Sequence, residues 1–186
     1  SPSAEWRDQV LKLAEEVSDA ALQAAVSAIG EDGTESLYHT TFGPGGPAAP
    51  REVSYHTSLL PGQMLGDLTA FYEAFAYTPS LPEAPDHVAV ESGFIAYLRM
   101  KEAYAVECSE PGQADIVATA SKRFVDEHLN ALAEPLAKSL AASGIPYLAK
   151  TAAALLHRVG PRQVVMDALE ACAVCDPESA PGCGTV

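Results

Sequence analysis

The sequence predicts an all-α protein, a single helical bundle of six to eight helices spanning residues 1–186. Three observations carry this. Apolar residues recur at spacings of three and four along most of the chain, strand-type alternation is weak throughout, and Gly and Pro fall mainly between the periodic segments. With 48% hydrophobic and 19% charged residues, the chain can bury one sizeable core and is too apolar to stay disordered.

Residues 4–29 place Val10, Leu13, Val17, Ala21 and Ile29 near one helical face, with Asp8, Glu15, Glu16 and Asp19 elsewhere, and Gly30 stops the segment. Residues 34–42 suit a short helix that ends in the loop FGPGGPAAP. That loop is read as a connector. No Gly-Lys-Ser/Thr follows it, and its prolines lack the N–H donors that a phosphate would need. A helix over about 61–77 carries Met64, Leu65, Leu68, Phe71, Tyr72 and Phe75. The next, over about 85–106, opens as PDHVAVESGF, with Pro85 pre-organised for a first turn and Asp86 near the positive end of the dipole. After Pro111-Gly112 a long helical pattern runs to about 142, with a bend expected at Pro135. Ser143-Gly144 breaks it, and residues 146–159 and 161–174 supply two more helices with proline at or near their first turns.

Charge narrows the partners. The balance of 25 acidic against 11 basic residues gives a net −14, which disfavours nucleic acid and anionic membrane surfaces and favours a basic partner. No apolar run approaches the roughly 20 residues of a membrane span, and SPSAEWRDQV lacks the basic head and apolar core of a secretory signal, so the reading is a cytoplasmic protein.

Chemistry-bearing motifs are few. The histidines His39, His56, His87, His128 and His157 are scattered without a His-x-x-x-His pair, and no nucleophile elbow occurs, so neither catalytic residues nor a histidine metal site nor a cofactor is assigned. Glu127-His128 falls mid-helix and reads as a surface or half-buried capping contact. Cys172, Cys175 and Cys183 form a Cys-containing tail at about 172–186 that reads either as free thiols or as a metal-binding or redox-sensing element lacking an evident fourth ligand.

The most informative stretch is Asp86-His87 with Glu91. His87 and Glu91 stand four apart and can share a face, giving the helix a polar edge beside the apolar stripe of Val90, Phe94 and Tyr97. This edge reads equally as a helix cap or as a recognition site. A catalytic Asp-His contact is disfavoured, since adjacent side chains on a helix diverge by about 100°.

Several pieces occur together in order: Tyr38-x-x-x-Phe42-Gly-Pro; Pro50 followed by Val53-Ser54-Tyr55; Met64 with Leu68-x-x-Phe71-Tyr72; Pro85-Asp86-His87 leading into Glu91-x-x-Phe94-x-x-Tyr97-Leu98; and Phe124-x-x-x-His128-Leu129 before Ile145-Pro146-Tyr147. Over roughly residues 34–155 this set resembles the TorD/DmsD/NarJ family of redox-enzyme maturation chaperones. The chain departs from the family at Asn130-Ala131-Leu132, where many members have tryptophan, and in the Cys-containing tail. The resemblance implies an all-helical chaperone without enzymatic activity. Its partner would be the catalytic subunit of a molybdenum oxidoreductase, bound through a twin-arginine signal peptide or another segment while cofactor is inserted. By matching position, the resemblance puts Tyr55, Tyr72, Asp86, His87 and Glu91 at or near the peptide groove, with Asp86 meeting a guanidinium, His87 orienting it, and Tyr55, Tyr72, Phe75 and Leu65 lining apolar wall. Core packing is the alternative for the two tyrosines. Both a monomer and a homodimer are compatible with the chain, because a loop as long as 43–54 permits domain swapping.

Overall fold

A computed structural model describes residues 3–30, 33–56 and 60–162. Among them are eight α-helices and no β-strand: α1 (Ala4–Glu16), α2 (Ala20–Ser27), α3 (Glu35–Phe42), α4 (Pro61–Ala74), α5 (Val88–Glu107), α6 (Pro111–Phe124), α7 (Asn130–Ala142) and α8 (Pro146–Val159). A 3₁₀ turn covers Glu52–Tyr55, and one π-helical turn, Val125–Leu129, joins α6 to α7. The all-α bundle is as expected. Of the helix expected over 161–174, residues 161 and 162 are not helical and the rest, like Cys172, Cys175 and Cys183, lie outside the described residues.

Local chemistry sets the boundaries. Residues 4–29 form two helices, not one. Val17 adopts extended φ/ψ, and the Asp19 carboxylate accepts the Leu22 N–H at 2.9 Å, capping a new helix. The register therefore resets between α1 and α2, which leaves Leu13 61% exposed while Ile29 is buried. Thr34 caps α3 in the same way, and prolines open α4, α6 and α8. Pro135 lies inside α7, as expected. The π turn three residues upstream of Leu132 is unexpected: the Asn130 N–H reaches back five residues to the Val125 carbonyl.

The core forms where α5 packs along α6 and α7 along α8, with α2 laid on α8 and α1 on α2. Its centre is Phe94, fully buried and ringed by Tyr72, Phe75, Tyr77 and Phe124 at centroid separations of 4.8–6.2 Å. Leu68, Val90, Leu98, Leu132 and Leu136 complete it.

Candidate functional site

Helices α4 and α6 stand apart. The small side chains Ala70 and Ala74 on one and Thr119 and Ala120 on the other leave a groove of about 850 Å³ between them. Met64 and Phe71 on α4, Phe75 at its C-cap and Ile116 on α6 give it an apolar lining. These positions follow helical spacing, so each helix turns one continuous face to the groove. Carboxylates edge it: Asp67 on α4, Asp115 on α6, Glu127 on the π turn and, more deeply, Glu52. Among the described residues the one lysine or arginine lining it is Arg123, whose Nε donates to Glu127 at 2.7 Å and whose guanidinium lies 5.3 Å from the Phe71 ring centroid.

Beneath the groove runs a polar network. Glu52 is fully buried; its two oxygens lie 2.7 Å from His56 Nε2 and 3.1 Å from His128 Nδ1. His128 is 4% exposed, with its ring against Phe71 and Phe124 at 5.6 and 5.0 Å. It is thus a buried partner of Glu52, not the surface or half-buried capping contact expected of it. Its Nε2 is enclosed and has no hydrogen-bond partner among the described residues.

The expected site residues sit around this network. Asp86 is fully buried and lies one residue before the His87 N-cap of α5, outside the first turn where it was expected. Its Oδ1 accepts from Arg51 Nε and Nη2, both at 2.8 Å, and its Oδ2 from the Val53 N–H at 3.3 Å. Its backbone carbonyl accepts the Glu52 N–H, and the Val88 N–H donates to the Pro50 carbonyl, forming a short antiparallel bridge between Arg51 and His87. His87 is the N-cap of α5: its Nδ1 accepts the Ala89 N–H at 3.1 Å. Burial holds this imidazole below its ordinary pKa of 6.5, with Glu83 and Asp86 opposing, and a cap made by a lone pair requires the same neutral ring. His87 also borders a second cavity of about 550 Å³, apolar and lined by Trp6, Val26, Ile29, Phe42 and Tyr147 among others.

Tyr72 is buried and donates its hydroxyl to the Pro85 carbonyl at 2.8 Å, while half-buried Tyr55 donates to the Ala49 carbonyl at 2.7 Å. Glu91 is fully buried, and neither of its oxygens has a partner among the described residues. Burial raises its carboxyl well above the ordinary 4.5, and the nearby Glu52 and Asp86 push it in the same direction. Burial, then Glu91, raises the Tyr72 phenol as well. Of the residues expected to line a groove, Phe75 borders the α4–α6 groove; Leu65, Tyr55 and Tyr72 border neither cavity.

Among the described residues no cluster of three or more His, Cys, Asp or Glu side chains is arranged to hold a metal ion, and no helix is long and apolar enough to cross a membrane. The description nitrate reductase delta subunit belongs to a family model that matches residues 5–138, from α1 through most of α7. No curated protein and no solved structure matches the chain.

Proposed function

Since the chain belongs to the nitrate reductase delta subunit family, whose members are chaperones of molybdoenzyme assembly and not enzymes, we propose that it binds a basic amphipathic segment of a molybdopterin oxidoreductase catalytic subunit in the cytoplasm. The segment is a signal peptide or another segment of that subunit, and it is held while cofactor is inserted. The observation that carries this reading is the α4–α6 groove, in which an apolar lining from Phe71, Phe75, Met64 and Ile116 is edged by four carboxylates against one arginine. An amphipathic helix lays its apolar face into such a groove, and acidic edges hold basic side chains by charge-assisted hydrogen bonds. The net −14 of the chain steers a basic segment toward it.

In this reading Tyr55, Tyr72, Asp86, His87 and Glu91 frame the groove from behind, and the side chains of Asp67, Asp115 and Glu127 meet the segment. Asp86 and Tyr72 are themselves buried and their polar atoms are already bonded within the chain, to Arg51 and to the Pro85 carbonyl, which supports that division. Calorimetric titration with the N-terminal segment of the cognate catalytic subunit tests it. Affinity should fall steeply as salt shortens the Debye length below about 8 Å. Asp67→Asn, Asp115→Asn and Glu127→Gln combined should weaken binding and flatten its salt dependence without moving the denaturation midpoint. Binding that ignores both salt and these substitutions rules the groove out.

A further inference from the structure

The network under the groove has one unfinished connection. With Glu52 accepting at both contacts, at 2.7 and 3.1 Å, the N–H groups sit on His56 Nε2 and His128 Nδ1. A neutral His128 ring with its proton on Nδ1 carries a lone pair on Nε2. That nitrogen is enclosed without a partner among the described residues, on a side chain that lines the groove. Buried polar atoms are nearly always satisfied, so an enclosed nitrogen without a partner, on a residue that lines the groove, is a place for a donor that reaches it as the groove walls adjust. The π turn that carries His128 adds one residue to a helical turn, a distortion that is frequent at functional positions. The ring is clamped by Phe71, Phe124 and Glu52, so it meets a ligand without losing side-chain freedom.

Resting on the proposed peptide reading, we infer that His128, oriented by Glu52, is the anchor at the floor of the groove and takes one N–H of an arginine side chain from the bound segment. Three features select guanidinium. The donor must be cationic to gain from Glu52 behind the ring. Arg123 already lies over the Phe71 face, which shows that this wall accepts a planar cation. A guanidinium can also donate to the histidine and a rim carboxylate together, which a single ammonium does less well.

Histidine-labelled protein is titrated with acetyl-arginine amide, acetyl-lysine amide and a synthetic amphipathic helical peptide carrying arginine, following the ring nitrogens by NMR. The unprotonated Nε2 of His128 is expected to move toward the hydrogen-bonded range with the arginine probes, and less with lysine. His128→Asn keeps a donor to Glu52 at the Nδ1 position and removes the Nε2 acceptor. It empties part of the ring's space between Phe71 and Phe124, so the midpoint falls while cooperative unfolding is kept, and it should bind the peptide about tenfold or more weakly. Peptide binding that perturbs Phe71 and Met64 but leaves Nε2 still, with wild-type affinity in His128→Asn, overturns the anchor and leaves the peptide reading standing. A peptide that fails to bind while acetyl-arginine amide moves Nε2 upholds the anchor and removes the peptide reading. No response to any probe removes both.

Discussion

Glu91→Met isolates the energetic consequence of a buried carboxyl with no partner. In the folded chain burial raises this group well above 4.5, and Glu52 and Asp86 add to the rise. The unfolded chain releases the proton near the ordinary value. Above that pH the folded state therefore holds a proton that the unfolded state has lost, and stability falls as pH rises until the folded carboxyl ionises too. Each pH unit in that window costs about 1.4 kcal/mol. Methionine has similar length, no charged or hydrogen-bonding group of comparable strength and an adaptable shape, so it fills the buried space without a titrating group. Urea denaturation of both proteins across about pH 5 to 8 gives the difference directly, since the other titrations cancel. Glu91→Met should be at least as stable as the parent at the acid end and gain on it steadily toward alkaline pH. A stability difference independent of pH, or a loss that grows with pH, refutes the reasoning, because either means that ionised Glu91 is compensated in the fold.

Arg51→Ala should cost about 2–3 kcal/mol in chemical denaturation, below the 3–5 expected for breaking a fully buried pair because the Arg51 side chain is 43% exposed; in an Asp86→Asn background the same change should cost clearly less. His87→Asn keeps a side-chain cap without a titrating ring, so it should stay within about 1 kcal/mol of the parent at neutral pH. Burial depresses the folded pKa of His87, so the stability that its neutral ring contributes is present above 6.5 and lost as pH falls below it. Thermal midpoints across that range should drop less in His87→Asn than in the parent.

The parts of the fold that were legible in the sequence are those governed by periodicity and punctuation. Helices α3, α4, α6 and α8 start where Thr34 or a proline says they should. The break after Glu16 was hidden because Val17 and Ala21 continue an apolar pattern, while the deciding event is a single hydrogen bond to Asp19. The site was legible only in part. Asp86 and His87 stood out as a pair, but the Arg51 partner of Asp86 lies 35 residues away in a loop with no pattern to announce it. His128 had a signal that went unread. Ala114, Val117, Ser121, Phe124 and His128 follow one another at spacings of three and four, and all five are buried. That stripe places the histidine inside, and an interior histidine needs a partner, which leads to Glu52.

The residues that looked like separate features are linked by position. Asp86, through Arg51, the Val53 N–H and its own carbonyl, ties residues 51–53 to the start of α5. That tie sets the backbone of Glu52, and Glu52 in turn holds His128 through Nδ1. Tyr72 secures the other side by bonding the Pro85 carbonyl, fixing α4 and hence the groove wall that Phe71 and Phe75 form. A substitution at Asp86 therefore reaches the groove through two hydrogen-bonded links, Asp86 to residues 51–53 and Glu52 to His128, without any contact between Asp86 and a ligand. Loss of segment binding in Asp86→Ala does not by itself make Asp86 a contact residue. The distinction lies in what accompanies the loss: a positioning role weakens binding together with the His128–Glu52 bond and the stability of the fold, whereas a contact role weakens binding alone.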